Sequence, residues 1–293
     1  MSLRHYLIEM LEPTIFFCGF SALAGVIAAW HYGSLNAGMG ILSIVGVMLA
    51  QMAVNLIDDY EDYASGLDSE TVKTKFSGGS ALISKKLIKP GYVLAIGLAV
   101  FAIAALIGLY IIHRYIVLLP FVLIGGITVL LYARVLSKIP FLAEPLTSLN
   151  FFLVSLGAFI AAGGSVTSAM PFLFAAFSIG MQVGIAVIVN YLPDREPDRK
   201  YGRRNLVVMI NSNAGTAKLY LSFETLSFLS IALGIALGAL PLTCIIVFAT
   251  LPLVAQVSKG ITDYRSPKSY EKTMAKSALA EFAFIILLAL AFA

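Results

Sequence analysis

The chain has 293 residues, 59% of them hydrophobic and only 12% charged, with a net charge of +4. Ordinary soluble domains carry about 25% charged residues, so this composition excludes a soluble globular protein and leaves little room for a soluble domain. The chain reads as an integral membrane protein whose surroundings are the lipid bilayer, with no nucleic-acid partner.

Cys18 and Cys244 both fall inside apolar runs, so no disulfide framework is expected. The start does not read as a cleaved signal, because Leu3 to Pro13 carries Arg4, Glu9 and Glu12. Runs of about 20 apolar residues are the unit of a membrane crossing. Nine are predicted, over 13–30, 38–57, 91–112, 115–132, 148–163, 171–190, 220–238, 240–257 and 275–293. Every Lys and Arg except Arg114 lies in the N-terminal tail, in the segments after the second, fourth, sixth and eighth runs, or at the start of the ninth. The positive-inside rule then places the N-terminus and those segments in the cytoplasm. The expected architecture is all-α: one multi-pass domain over 1–293 in the cell membrane.

Two acidic stretches stand out, each at the end of an apolar run on the cytoplasmic side. The first is Asn55 to Asp68, which holds Asp58, Asp59, Glu61, Asp62 and Asp68. The second runs from Asn190 through Asp194 and Asp198 to Gly202. Read as helix, Asn55, Asp58, Asp59 and Asp62 share one face, as do Asn190, Asp194 and Asp198. Like charges at that spacing cost about 0.2–0.5 kcal/mol per pair even in water, so cations are expected among them. Oxygen-only ligands point to Mg²⁺ rather than zinc. Both stretches fit Asp-x-x-x-Asp-x-x-x-Gly, four spans apart. That offset suggests two parallel four-helix units plus a ninth helix, with the acidic clusters face to face.

The polar segments 59–90 and 191–219 are expected to cap the site. The first carries Lys73, Lys75, Lys85, Lys86 and Lys89 around Ser77-Gly-Gly-Ser80; the second carries Arg195, Arg199, Lys200, Arg203 and Arg204. Metal ligands beside basic phosphate ligands describe a metal–diphosphate site. Metal ions stabilise the charge that grows on a departing diphosphate. An allylic isoprenoid on the other side of that bond would leave a carbocation, with its tail between membrane helices and aromatic faces to stabilise it. Pro193 and Pro197 are expected to interrupt the second acidic helix. Glu144 suits either a helix terminus or an acceptor contact, and Glu224 is expected near a helix N-terminus.

These motifs resemble the UbiA superfamily of intramembrane aromatic prenyltransferases, most nearly its menaquinone-pathway branch. The first is carried by Gln51, Asn55, Leu56, Asp58, Asp59, Tyr60, Asp62, Gly66 and Asp68, and the second by Asp194, Asp198, Gly202, Arg203, Arg204 and Leu206. Asp58 occupies a slot usually filled by Asn, and Glu12-Pro13 stands where the branch often has Arg-Pro. The resemblance implies that Asp58, Asp62, Asp194 and Asp198 hold Mg²⁺, supported by Asn55, Asp59, Asp68 and Asn190. Lys73, Lys75, Arg199 and Arg203 would hold the diphosphate. The family's Tyr-x-x-x-Lys element implies Tyr132 and, two positions out of register, Lys138.

The implied reaction is transfer of an isoprenyl group from a polyprenyl diphosphate to an aromatic acceptor of the dihydroxynaphthoate kind, in quinone biosynthesis, at an active site facing the cytoplasm. Hydroxybenzoate or geranylgeranylglyceryl phosphate are alternative acceptors. A cation-coupled secondary transporter is the alternative of another class.

Overall fold

A computed structural model describes residues 14–33, 35–74, 76 and 82–293. Its helices are α1 (Thr14–His31), α2 (Ala37–Ser65), α3 (Pro90–Arg114), α4 (Leu119–Leu131), α5 (Ala143–Ala161), α6 (Val166–Lys200), the short α7 (Leu206–Ile210), α8 (Asn213–Ala236), α9 (Leu251–Thr262) and α10 (Pro267–Ala291). Among the described residues eight helical segments are long and apolar enough to cross a membrane, counting Leu242–Thr262 as one. A shorter apolar segment, Ile116–Leu131, takes the place of the fourth predicted run. The nine predicted crossings therefore appear in order, and the protein is an all-helical, multi-pass membrane protein.

Helix ends follow local chemistry. Pro90 opens α3, where its missing N–H costs nothing. Asn36 caps α2 by accepting from the Met39 N–H, and Ser266 and Ser269 form a capping box at α10. Where α5 and α6 cross, a Cβ on Gly180 would lie 2.4 Å from the Ser148 carbonyl oxygen, so only glycine permits that approach. Large side chains such as Leu98, Leu106 and Leu109 of α3 point outward, as lipid contact requires.

Two differences from the sequence reading shape the site. First, the helices carry the acidic stretches well into the segments 59–90 and 191–219 that were expected as capping loops. Helix α2 runs on to Ser65 and α6 to Lys200, well past the predicted ends of the apolar runs. Second, Pro193 and Pro197 lie inside α6 without ending it. Each proline removes one backbone donor, but the flanking hydrogen bonds carry the helix past it.

Both extended helices end at the glycine of the repeated motif. Gly66 has φ +86° and Gly202 φ +82°, a region that L side chains rarely adopt. At the second end the Gly202 N–H donates to the Arg199 carbonyl at 3.2 Å and the Arg203 N–H to the Asp198 carbonyl at 2.9 Å. That pair of bonds is a Schellman cap. It turns the chain back under the end of α6 and aims residue 203 at the acidic face.

Candidate active site

A cavity of about 1310 Å³ lies among the described residues. Its deep part is apolar, lined by Val47, Phe101, Ile107, Phe121 and others, and one side is closed by Phe17 of α1 stacked on Phe282 of α10 at 3.8 Å. Its mouth carries Asn55, Asp58, Asp59, Asp62 and Asp68 from the first motif and Asn190, Asp194 and Asp198 from the second. The two clusters thus face each other, as the repeat predicts.

Arg203 stands between them. Its Nη2 donates to Asp62 and, at 3.3 Å, to Asp58, while Nη1 lies 3.6 Å from Asp198. Burial alone would lower the Arg203 guanidinium, but Asp58, Asp62 and Asp198 outweigh it and hold the group above its ordinary range. It stays charged. Asp198 is buried, and its second oxygen accepts from Asn205 at 2.9 Å. Asn205 uses its own Oδ1 to cap α7 through the Val208 N–H at 2.8 Å.

Among the described residues no three His, Cys, Asp or Glu side chains are gathered at ligating spacing. One oxygen, Asp194 Oδ1, is buried with no hydrogen-bond partner. An unpartnered carboxylate oxygen among other carboxylates, without thiol or imidazole, suits a hard divalent cation.

The remaining predicted residues divide. Asn55 ties the first cluster down, accepting from Gln51 at 2.9 Å and donating to Thr14 of α1 at 2.7 Å. Tyr132 lies on the cavity wall and shares a hydrogen bond with Tyr191 of α6. Lys73 pairs with Asp68 at the cavity mouth. Lys75 lies outside the described residues.

Two further predicted residues, like Lys73, are not on the cavity wall. Arg199 turns outward to Glu196, Asn211 and the Val208 carbonyl. Its place one residue after Asp198 puts it about 100° around the helix. Lys138 is exposed on the turn after α4.

Some residues escaped the sequence reading. Asn205 and Tyr191 carry no charge pattern that would single them out. Glu70, just past the first motif, accepts from Lys200 at 2.5 Å and from Tyr201 at 3.3 Å, strapping the two motif ends together. That hydrogen bond from Lys200 holds the Glu70 carboxyl below its usual range. Glu144 is settled as a helix cap. It is fully buried, and its oxygens accept from the Leu206 N–H at 3.0 Å and the Val207 N–H at 3.4 Å, at the start of α7.

Glu224 is not near a helix start. It is buried midway along α8, where Gln182 of α6 donates to it at 3.0 Å. Glu281 of α10 is also buried and accepts from Ser277 at 2.6 Å. Hydropathy averaging hid Glu281 within an apolar run.

An all-helical membrane bundle, with facing carboxylate clusters at the mouth of an apolar cavity, is the build of an enzyme that handles an anionic headgroup on a lipid tail. The chain belongs to the UbiA prenyltransferase family, whose model matches residues 18–288. It is therefore a prenyltransferase. It is 24% identical over 294 residues to 1,4-dihydroxy-2-naphthoate octaprenyltransferase of Bacillus subtilis (strain 168), covering 99% of this chain and 92% of that one. A solved structure of digeranylgeranylglyceryl phosphate synthase shares the fold with a TM-score of 0.68 at 14% identity, covering 99% of this chain and 98% of that one. A UbiA homologue from Archaeoglobus fulgidus, solved with GPP and Mg²⁺, shares it with a TM-score of 0.60 at 15% identity, covering 93% and 97%.

Proposed function

We propose that this protein transfers an isoprenyl group from a polyprenyl diphosphate to an aromatic acceptor of the 1,4-dihydroxy-2-naphthoate type, in quinone biosynthesis, from a site facing the cytoplasm. The observation that carries the reading is the convergence of Asp58, Asp62, Asp194 and Asp198 on the mouth of one apolar cavity. Those four residues would hold Mg²⁺, with Asn55, Asp59, Asp68 and Asn190 in support. When bound, the metal supplies Lewis-acid stabilisation of a departing diphosphate.

The chain's own residues do the rest. Arg203 and Lys73, with Lys75 from the same loop, hold diphosphate oxygens; the guanidinium fork matches two of them at once. The apolar cavity takes the isoprenoid tail and keeps water from the reacting carbon. Tyr132 and Tyr191 present aromatic faces beside the carboxylates, suited to a cationic allyl group. Outward-facing Arg199 and exposed Lys138 are left without a part.

The acceptor rests on likeness along nearly the whole chain to the Bacillus subtilis enzyme and on the spacing of both motifs. The cytoplasmic placement rests on the distribution of Lys and Arg. Purified protein with labelled geranylgeranyl diphosphate, offered dihydroxynaphthoate, hydroxybenzoate and geranylgeranylglyceryl phosphate in turn, tests it. Product with dihydroxynaphthoate alone is expected. Product only with the glyceryl phosphate would replace the aromatic acceptor with a lipid one.

A further inference from the structure

Granted the metal–diphosphate reading of this site, we infer that Arg203 is a resident counter-cation. It holds the metal positions of the unliganded protein and moves onto the diphosphate when metal and diphosphate arrive together. Three facts carry this. The guanidinium bonds the Oδ1 atoms of Asp58 and Asp62 and lies 3.6 Å from Oδ1 of Asp198. The other oxygen of Asp198 is already committed to Asn205, so the oxygen facing Arg203 is the one left for a metal. Asp194 Oδ1, not bonded by the guanidinium, has no hydrogen-bond partner.

A divalent ion ligates carboxylate oxygens at about 2.0–2.1 Å. It cannot use the same oxygens while a guanidinium sits on them, because the two cations would repel at contact distance. Metal alone must therefore displace Arg203 from its carboxylates without supplying its charge a new partner. Diphosphate removes that obstacle, since its oxygens accept the guanidinium fork. The Schellman cap at Gly202 fixes the backbone of residue 203 at the rim, so a side-chain rotation suffices. The consequence is positive coupling: each ligand makes room for the other. Free cytoplasmic metal is kept out of a site that lacks substrate.

The test is Mn²⁺ binding to the detergent-purified full chain, read by electron paramagnetic resonance, with and without geranyl diphosphate. Wild type is expected to bind Mn²⁺ weakly alone and about tenfold or more tightly with geranyl diphosphate, within the usual range of coupled sites. Arg203→Gln is expected to bind Mn²⁺ alone about tenfold more tightly than wild type, and to lose most of the enhancement. Arg203→Lys keeps a competing charge and is expected to stay near wild type without diphosphate. Equal Mn²⁺ affinity in wild type and Arg203→Gln would overturn the inference and leave the metal site standing. So would tightening in Arg203→Lys to the Gln level, which would mark a packing effect. No Mn²⁺ binding by any of the three proteins, with or without geranyl diphosphate, would overturn the metal reading itself.

Discussion

Asn205 donates to Asp198 at 2.9 Å, and both side chains are buried. The contact joins a proposed metal ligand to the cap of α7, because Asn205 Oδ1 also receives the Val208 N–H. Asn205→Ala is expected to cost about 1 kcal/mol of stability through the lost cap. It is also expected to weaken metal binding about 10–100-fold, the usual effect of losing a hydrogen-bond partner behind a ligand. Metal titration of diphosphate binding checks this. An unchanged metal dependence would remove Asn205 from the site.

The four central aspartates and the two outward basic residues separate cleanly. Asp62→Ala or Asp194→Ala is expected to lower transfer at least about 10²-fold, the scale of losing one preorganised electrostatic group, while the protein still inserts in the membrane. Arg199→Ala and Lys138→Ala are expected to stay within about threefold of wild type, since surface changes rarely exceed about 0.5 kcal/mol. Full activity in either Asp variant would sink the metal assignment.

Lys73 sits at the cavity mouth beside Asp68. Lys73→Ala is expected to raise KM for the isoprenyl diphosphate several-fold with little change in kcat, the sign of a contact made equally before and during reaction. Steady-state kinetics over diphosphate concentration decides it. An unchanged KM would exclude Lys73 as a diphosphate ligand.

Gly202 has φ +82°, and a Cβ there would meet no atom within 4 Å, so its role is backbone conformation alone. Gly202→Ala is expected to destabilise the protein by about 1–2 kcal/mol, the cost of forcing an L residue left-handed. Gly202→Asn is expected to cost less, because Asn tolerates that region. Thermal unfolding in detergent ranks the two. A wild-type melting temperature in Gly202→Ala would mean the cap has relaxed into another turn.

Much of this was legible in the residues, and the reasons are physical. Long apolar runs leave only one way to satisfy the backbone in lipid, so helix number and order follow from hydropathy. The Asp-x-x-x-Asp-x-x-x-Gly repeat marks a carboxylate face, and the structure adds that its glycine, Gly66 or Gly202, is left-handed at the helix end. What the sequence could not show were contacts made after the chain folds back. Arg203 reaches Asp58, 145 positions away, only because Gly202 reverses the chain. Arg199 looks equally basic, yet helical rotation sends it to Asn211 instead. Glu224 was misread for a related reason: charge near the start of an apolar run suggested a helix end, but α8 begins eleven residues earlier, at Asn213. Glu144 was ambiguous until α7, its partner, could be seen.

The central claim is that the facing aspartate clusters serve metal-dependent departure of diphosphate from an isoprenyl chain. Transfer of label from geranylgeranyl diphosphate to dihydroxynaphthoate by purified protein, first with Mg²⁺, then with chelator, then with Mg²⁺ restored, tests it most directly. Product that appears, vanishes and returns across the three conditions is the predicted result. Equal product in chelator, or no binding of the diphosphate under any condition, would contradict it.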